Sequence, residues 1–451
     1  MISNSNWEIF KADLLKDIFP DQKDLELKKD IALEIINKIR ELSVEYPYRI
    51  DPIHVGSTER GTYIKNSNAD IDIFMLFPTS VSMETLRDTS FSIASKVIKG
   101  EKRYASHPYM HGVYKNHEIE IVPAYLVENP ENTKMSAVDR TPFHAKYVKD
   151  HVTEDMKKDI VLLKYFLKNR GIYGAEAKIN GISGYLTELL IIYYKTFENL
   201  MENVASWKPQ VKLTLTVDNF KNFDNPLVFI DPVDSNRNVA AALSINTFAK
   251  FVHLSKKFQY GYYEELFSKN IDAQKRDWVK SIKERGTSVI AIKVPSLPLV
   301  DDVLYPQMQR FLKVVMESLE DNAFRVVNGI YYKNDSSIYF LIELYNSSIP
   351  ELLDWEGPYV WGQNSKDFLD KWESNREKFS KPFIKDGKWH VYIKRKYKDA
   401  VSYLKGVLPT KSVGKDLSNQ IAKGFSVYEI NESTFTEEIE EPLTNLLYPS
   451  I

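Results

Sequence analysis

The chain has 451 residues, 43% hydrophobic and 27% charged, with a formal net charge of −2. Two to four domains are expected at this length. The absence of cysteine excludes disulfides and thiolate metal sites and fits a cytoplasmic location. The near-neutral charge balance excludes a global attraction to nucleic acid, so any RNA must meet a local basic patch. No apolar run is long enough for a membrane span, and residues 1–30 do not read as a signal peptide.

In chain order, residues 24–43 read as an amphipathic helix with Leu27, Ile31, Ile35, Ile36, Ile39 and Leu42 on its apolar face, ended by Pro47. A strand over 49–55 delivers the chain to a turn at Gly56-Ser57, followed by Thr58-Glu59-Arg60. Such a turn can offer backbone N–H groups to an anion. Asp70-Ile71-Asp72 then opens a strand that continues as Ile73–Phe77. Side chains alternate in a strand, so Asp70 and Asp72 share a face. Two adjacent carboxylates repel unless a cation lies between them, and Mg²⁺ suits few carboxylates completed by water and phosphate oxygens.

A helix is expected over 83–99, then a hairpin of Gly112–Tyr114 with His117–Pro123. Glu118 and Glu120 share one face of its second strand, and Glu120 is the better third acid for the aspartate pair. Arg140, Thr141 and His144 together suggest an anion contact. Asp159–Arg170 reads as a helix stopped by Gly171, with Lys164 beside its apolar stripe. Ser183 reads as the N-cap of a helix over 185–194 that is apolar nearly all round. Val228–Ile230 leads to Arg237 at the mouth of a helix running through Phe251.

From about residue 270 a strand (287–294), a helix (301–319) and two strands (324–332, 338–345) make half of a ferredoxin-like sandwich. A strand over 389–398 carries Lys394, Arg395, Lys396 and Lys398 among tyrosines, which suits a phosphate backbone. A solvated charged edge strand is the competing reading.

With these residues in view, the chain resembles the archaeal (class I) CCA-adding tRNA nucleotidyltransferases. The matching segments include His54–Pro78, His107–Val113, Ser136–His144, Gly171–Glu176, Gly181–Tyr185, Asp231–Ala241 and Asp301–Gln307. The resemblance implies a multidomain α+β protein: a polymerase-beta-like nucleotidyltransferase palm (1–150), a helical central domain (151–268) and a C-terminal ferredoxin-like α/β tRNA-binding region (269–451). It implies template-independent addition of C, C and A to the tRNA 3′ end from CTP and ATP, with Mg²⁺ as cofactor. Asp70, Asp72 and Glu120 would be the catalytic metal ligands. Gly56, Ser57, Arg60, Thr141, His144, Lys164 and Tyr173 would surround the nucleotide, Arg237 would read its base, and Lys394, Arg395 and Lys396 would contact RNA. The family usually has Asp where Glu120 stands. Competing readings are a poly(A) polymerase or oligoadenylate synthetase relative, and a catalytically inactive RNA-binding relative. A homodimer is left open.

Overall fold

The computed structural model describes residues 4–104, 108–130, 137–216, 223–268, 277–412 and 414–449. His107 and Ser136, which open two of the segments above, lie outside the described residues. The chain divides into two compact units, Met1–Asp272 and Ala273–Ile451.

The first unit begins with helices α1 (Asn4–Ile18) and α2 (Gln22–Ser43), strand β1 (Asp51–Val55), a one-turn helix α3 (Gly56–Arg60) and strand β2 (Ile71–Pro78). Helix α4 (Met83–Val97), strands β3 (Lys99–Tyr104), β4 (Pro108–Tyr114) and β5 (His117–Leu126), and helices α5 (Thr141–His151) and α6 (Glu154–Asn169) follow. Then come α7 (Gly184–Tyr194), α8 (Phe197–Val204), strands β6 (Val211–Leu213), β7 (Leu227–Asp231) and β8 (Asp234–Asn238), and helices α9 (Ile245–Gln259) and α10 (Tyr263–Phe267).

The principal sheet has the order β1-β2-β5-β4-β3. Only β2 and β5 run parallel, and their register sets Asp72 opposite Glu120. Alternation along β2 explains the layering. Ile71, Ile73, Met75 and Phe77 are wholly buried beneath the apolar faces of α2 and α4, each contributing about 1.5–3 kcal/mol. The opposite side carries Asp72, then Phe74 and Leu76 in a smaller cluster with Val122 and Ala124. A tight turn at Lys115 and Asn116, both at positive φ, closes the β4–β5 hairpin.

The remaining helices form a separate core from Leu163, Phe166 and Leu167 of α6, Leu186, Leu189 and Leu190 of α7, and Phe251 of α9. Helix α1, absent from the sequence reading, inserts Trp7 against Phe197, Phe258 and Phe267. Ser183 caps α7 by accepting from the Leu186 N–H.

The second unit contains α11 (Trp278–Arg285), β9 (Ser288–Pro295), α12 (Asp301–Asp321), β10 (Val326–Lys333), β11 (Ser337–Leu344), β12 (Leu352–Tyr359), α13 (Ser365–Ser374), β13 (Phe383–Lys385) and β14 (Lys388–Lys394). It ends with α14 (Ala400–Val407), α15 (Lys415–Lys423), β15 (Ser426–Glu429) and α16 (Glu440–Leu447). Its larger sheet is ordered β10-β11-β9-β15 with every pairing antiparallel. Counted along that sheet's own strands this is 2-3-1-4, the ferredoxin-like arrangement, and β15 supplies the strand that the sequence reading lacked.

Between β11 and α14 stands an appended sheet, β12-β14-β13, with α13 packed on one face. Its two ends meet at an antiparallel bridge between Ser348 and Asp399. Ile349 N–H donates to the Lys398 carbonyl at 2.9 Å and Ala400 N–H to that of Ser347 at 2.8 Å. The strand expected over 389–398 ends at Lys394 and lies centrally rather than at an edge. Beyond Lys394 the chain runs on towards this bridge, with Arg395 N–H donating to the Glu351 carbonyl at 2.7 Å, so Arg395, Lys396 and Lys398 lie past the end of the strand.

Candidate active site

Gly56 and Ser57 open helix α3 directly from β1, with Gly56 at φ +86°. A Cβ at Gly56 would lie 2.0 Å from Asp72 Oδ2, so only glycine lets the backbone pass this close to the carboxylate. Asp70 precedes β2 by one residue. Burial, with the charges of Glu120 and Glu118 beside it, pushes Asp70 up to about 6. Burial, then Glu120 and Asp70, raises Asp72 well above the usual carboxylate range, and burial raises Glu120 too. Asp70 Oδ1 is buried without a hydrogen-bond partner.

These are under-compensated carboxylates with only oxygen donors. An all-oxygen pair fits Mg²⁺, which takes one or two carboxylates and leaves its other positions to water and phosphate. The third acid, opposite Asp72 in the sheet, also faces an imidazole. Glu120 lies 3.5 Å from His111 Nδ1 on β4, and among the described residues no three acid or imidazole groups close into a set able to hold an ion.

Ser57, Asp70, Asp72, Lys164, Lys168 and Tyr173 border one cavity of about 180 Å³. Lys164 reaches it from α6 and donates to the Thr62 carbonyl at 3.0 Å and, more weakly, to Glu188 at 3.4 Å. Glu188, wholly buried on α7, also accepts from Thr62 Oγ1 at 3.0 Å and from Arg60 at 3.0–3.2 Å. Arg60 therefore spends its guanidinium on Glu188 and does not border the cavity. Burial lowers the Lys164 pKa, with Glu188 opposing. Lys168, one helical turn further on, is a cavity residue that the sequence reading overlooked. Burial lowers its pKa, with Asp70 opposing, and its ammonium stands 5.3 Å from the Tyr173 ring centre. The i, i+4 spacing from Lys164 was the signal for it.

A second polar knot gathers the other predicted residues. Asp231, wholly buried at the end of β7, contacts His144 Nε2 at 2.9 Å and accepts from Arg237 at 2.7 Å and the Tyr185 hydroxyl at 3.2 Å. His144 stacks on Tyr185 with ring centres 4.1 Å apart, and Arg140 pairs with Asp234 at 2.8 Å. Burial pushes the Asp231 carboxyl up, but His144 and Arg237 more than offset it and hold it below the usual range. Arg237 lies on strand β8 rather than at a helix mouth. With Arg140, Ser183 and Asp234 it borders a separate cavity of about 510 Å³. Thr141 is the first residue of α5.

In the second unit Lys394 pairs with Glu351 at 3.5 Å, Arg395 Nε donates to the Leu352 carbonyl at 3.3 Å, and Lys396 stands over the Tyr397 ring at 5.2 Å. No helix among the described residues is long and apolar enough to cross a membrane.

Comparison with known proteins extends these observations. Residues 21–144 match the family model of a nucleotidyltransferase domain, 158–268 that of the tRNA nucleotidyltransferase second domain, and 285–430 that of the CCA-adding enzyme C-terminal domain. The CCA-adding enzyme of Archaeoglobus fulgidus is 34% identical over 438 residues, covering 95% of this chain and 96% of its own. That of Methanocaldococcus jannaschii is 35% identical over 417 residues, covering 89% and 90%. A solved structure of the Cid1 poly(U) polymerase with Mg 3′-dATP bound covers 59% of this chain at 16% identity, with a TM-score of 0.46. Identity of this order along nearly the whole length, with the domain models in the same succession, means that the chain belongs to the CCA-adding enzymes.

Proposed function

We propose that this chain adds C, C and A in turn to the 3′ end of tRNA, from CTP and ATP and without a nucleic-acid template, at the cavity bounded by Ser57, Asp70 and Asp72. The observation that carries this reading is the register of the parallel β2–β5 pair. It sets Asp72 beside Glu120, next to Asp70, with Lys164 and Lys168 across the same cavity. In this reading residues 1–150 are the catalytic palm, 151–268 contribute Lys164, Lys168, Tyr173 and Arg237, and 269–451 grip the tRNA, with Lys394, Arg395 and Lys396 towards its phosphates.

Asp70 and Asp72 would hold Mg²⁺, with Glu120 as third acid. When bound, the metal acidifies the 3′-hydroxyl and neutralises the pyrophosphate leaving group. The hydroxyl attacks the α-phosphorus in line, its O–H bond breaks, and the bond from that phosphorus to pyrophosphate breaks. Glu120, opposite Asp72 in the sheet, accepts the proton. Ser57, Lys164 and Lys168 hold the phosphates, and Arg60 acts through Glu188 to fix Lys164. Thr141, His144 and Tyr173 border the sugar. Arg237 donates to the base edge, and a site built to hydrogen-bond that edge rejects bases that leave it unpaired.

The test is incorporation of labelled CTP and ATP into tRNA that lacks its CCA end, with the products sequenced. Asp72→Ala abolishes addition while tRNA binding persists. Retained incorporation by a clean preparation of that variant, or an A tract in place of CCA, overturns the reading.

A further inference from the structure

The appended sheet of the second unit carries an aromatic pair that its own core does not use. Tyr359 ends β12, and the chain then folds back, with Gly362 N–H donating to the Tyr359 carbonyl at 2.8 Å. Val360 N–H donates to the Gly387 carbonyl at 3.0 Å, which ties this loop to the β13–β14 hairpin. That hairpin turns at Asp386 and Gly387, both at positive φ. A Cβ at Gly387 would lie 2.9 Å from Trp361 Cη2, so a side chain there would crowd the indole. Trp361 lies nearly parallel to Tyr359, with ring centres 5.2 Å apart and planes 17° from each other. Yet Trp361 is 78% exposed and Tyr359 49%.

A large ring carried on a loop tied by backbone hydrogen bonds, stacked on one side and left open to solvent, is preordered for a flat ligand. The charges around it favour an anionic one. Lys388 stands over the Tyr359 ring at 5.2 Å. It is ion-paired with Glu356, and Lys385 pairs with Asp354 at 3.2 Å. Pairs of this solvated kind open at little cost. Residues 351–398 hold eleven Lys and Arg against eight Asp and Glu, in a chain of net charge −2. Aromatic faces among lysines match single-stranded nucleic acid, whose bases stack while its phosphates meet the cations.

We propose that Trp361, backed by Tyr359 and Lys388, is a stacking platform for an unstacked nucleobase of the tRNA. This rests on the tRNA reading above and names the contact by which the appended sheet recognises that substrate. Stacking is indifferent to which base is presented, so the platform reads loop shape rather than sequence.

The experiment measures tRNA affinity and CCA-addition kinetics for the full-length chain, wild type against Trp361→Ala and Trp361→Phe, with folding checked by thermal melting. Trp361→Ala weakens tRNA binding about tenfold, within the range for loss of one stacked base. It raises the tRNA KM with kcat unchanged, and leaves the salt dependence of binding unaltered because no phosphate contact is lost. Trp361→Phe restores affinity to within about threefold, since a ring face remains. Unchanged tRNA affinity in a folded, active Trp361→Ala variant overturns the platform. So does a loss of self-association or of binding to a protein partner with tRNA affinity intact. A wild-type chain that adds nothing to tRNA defeats the parent reading instead, and the two failures are told apart by that control.

Discussion

Replacing Glu188 by alanine tests the polar knot that ties Arg60 and Thr62 to α6 and α7. Glu188 is wholly buried and receives donors from Arg60, Thr62 and Lys164. Its removal takes the counter-charge from the Lys164 ammonium, which is 3% exposed and keeps only its bonds to Thr62, and from Arg60. Breaking a buried ion pair by removing one side costs roughly 3–5 kcal/mol. At roughly 2–4 °C per kcal/mol for a unit of this size, the melting transition falls by roughly 6–20 °C. Glu188→Gln keeps the volume and one acceptor and shows a smaller loss. Adding Lys164→Met to Glu188→Gln recovers part of it, because less buried charge is then left unpaired. Burial pushes the Glu188 carboxyl up, but Arg60 and Lys164 outweigh it and the net shift is downward. A lowered carboxylate stabilises the fold above the ordinary glutamate range, and the contribution is lost as pH falls through the lowered value. Wild type therefore loses more stability on acidification than Glu188→Ala does. The assay is differential scanning calorimetry from pH 7 to pH 3, with the CTP KM measured beside it at pH 7, where the freed lysine raises it. A Glu188→Ala protein that melts within about 2 °C of wild type, against a predicted fall on the order of 10 °C, refutes the reasoning.

Gly56→Ala puts a Cβ onto the Asp72 carboxylate at positive φ; it loses nucleotide addition and about 1–3 kcal/mol of stability in urea titration, and full activity would count against the close approach. Because Asp70 is raised to about 6, the metal-free protein binds protons there more tightly than the unfolded chain does. Its contribution to stability is present below the ordinary aspartate range and fades as pH rises through about 6. Added Mg²⁺ should thus raise the melting temperature more at pH 7 than at pH 5, and an equal shift at both would contradict the carboxylate assignment. Asp231→Asn frees Arg237 and His144 from their shared partner. The CTP-to-ATP ratio of kcat/KM shifts by about tenfold, the equivalent of one lost charge-assisted hydrogen bond, and an unaltered ratio in competition assays removes Arg237 from base selection.

Strand alternation is a local rule, and it is what the sequence offers for the acids. Asp70 and Asp72 fall on one face by spacing alone, and the hairpin that presents Glu120 follows from its two apolar alternations. The ferredoxin-like half was legible instead from continuous apolar runs, β11 being buried at every position, and β15 was not, because Ser426–Glu429 is only four residues long. Strand β8, Asp234-Ser235-Asn236-Arg237-Asn238, is polar throughout and is held by its neighbour β7 rather than by hydrophobic pattern. The basic side chains illustrate what distance in sequence hides. Arg60 and Glu188 are 128 positions apart, and His144 and Asp231 are 87 apart. Sequence shows that a guanidinium and an imidazole exist, and only the fold shows that each already has a buried carboxylate to satisfy.

The bridge between Ser348 and Asp399 has a bearing on how such chains change over time. Because both ends of the appended sheet leave the larger domain through one pair of adjacent backbones, the roughly fifty residues between them behave as a detachable cassette: the host strand and helix are stitched together at the point of departure. Lengthening, shortening or exchanging the cassette leaves the host's own pairing intact, so the RNA contact proposed for it could be retuned without disturbing the framework beneath it.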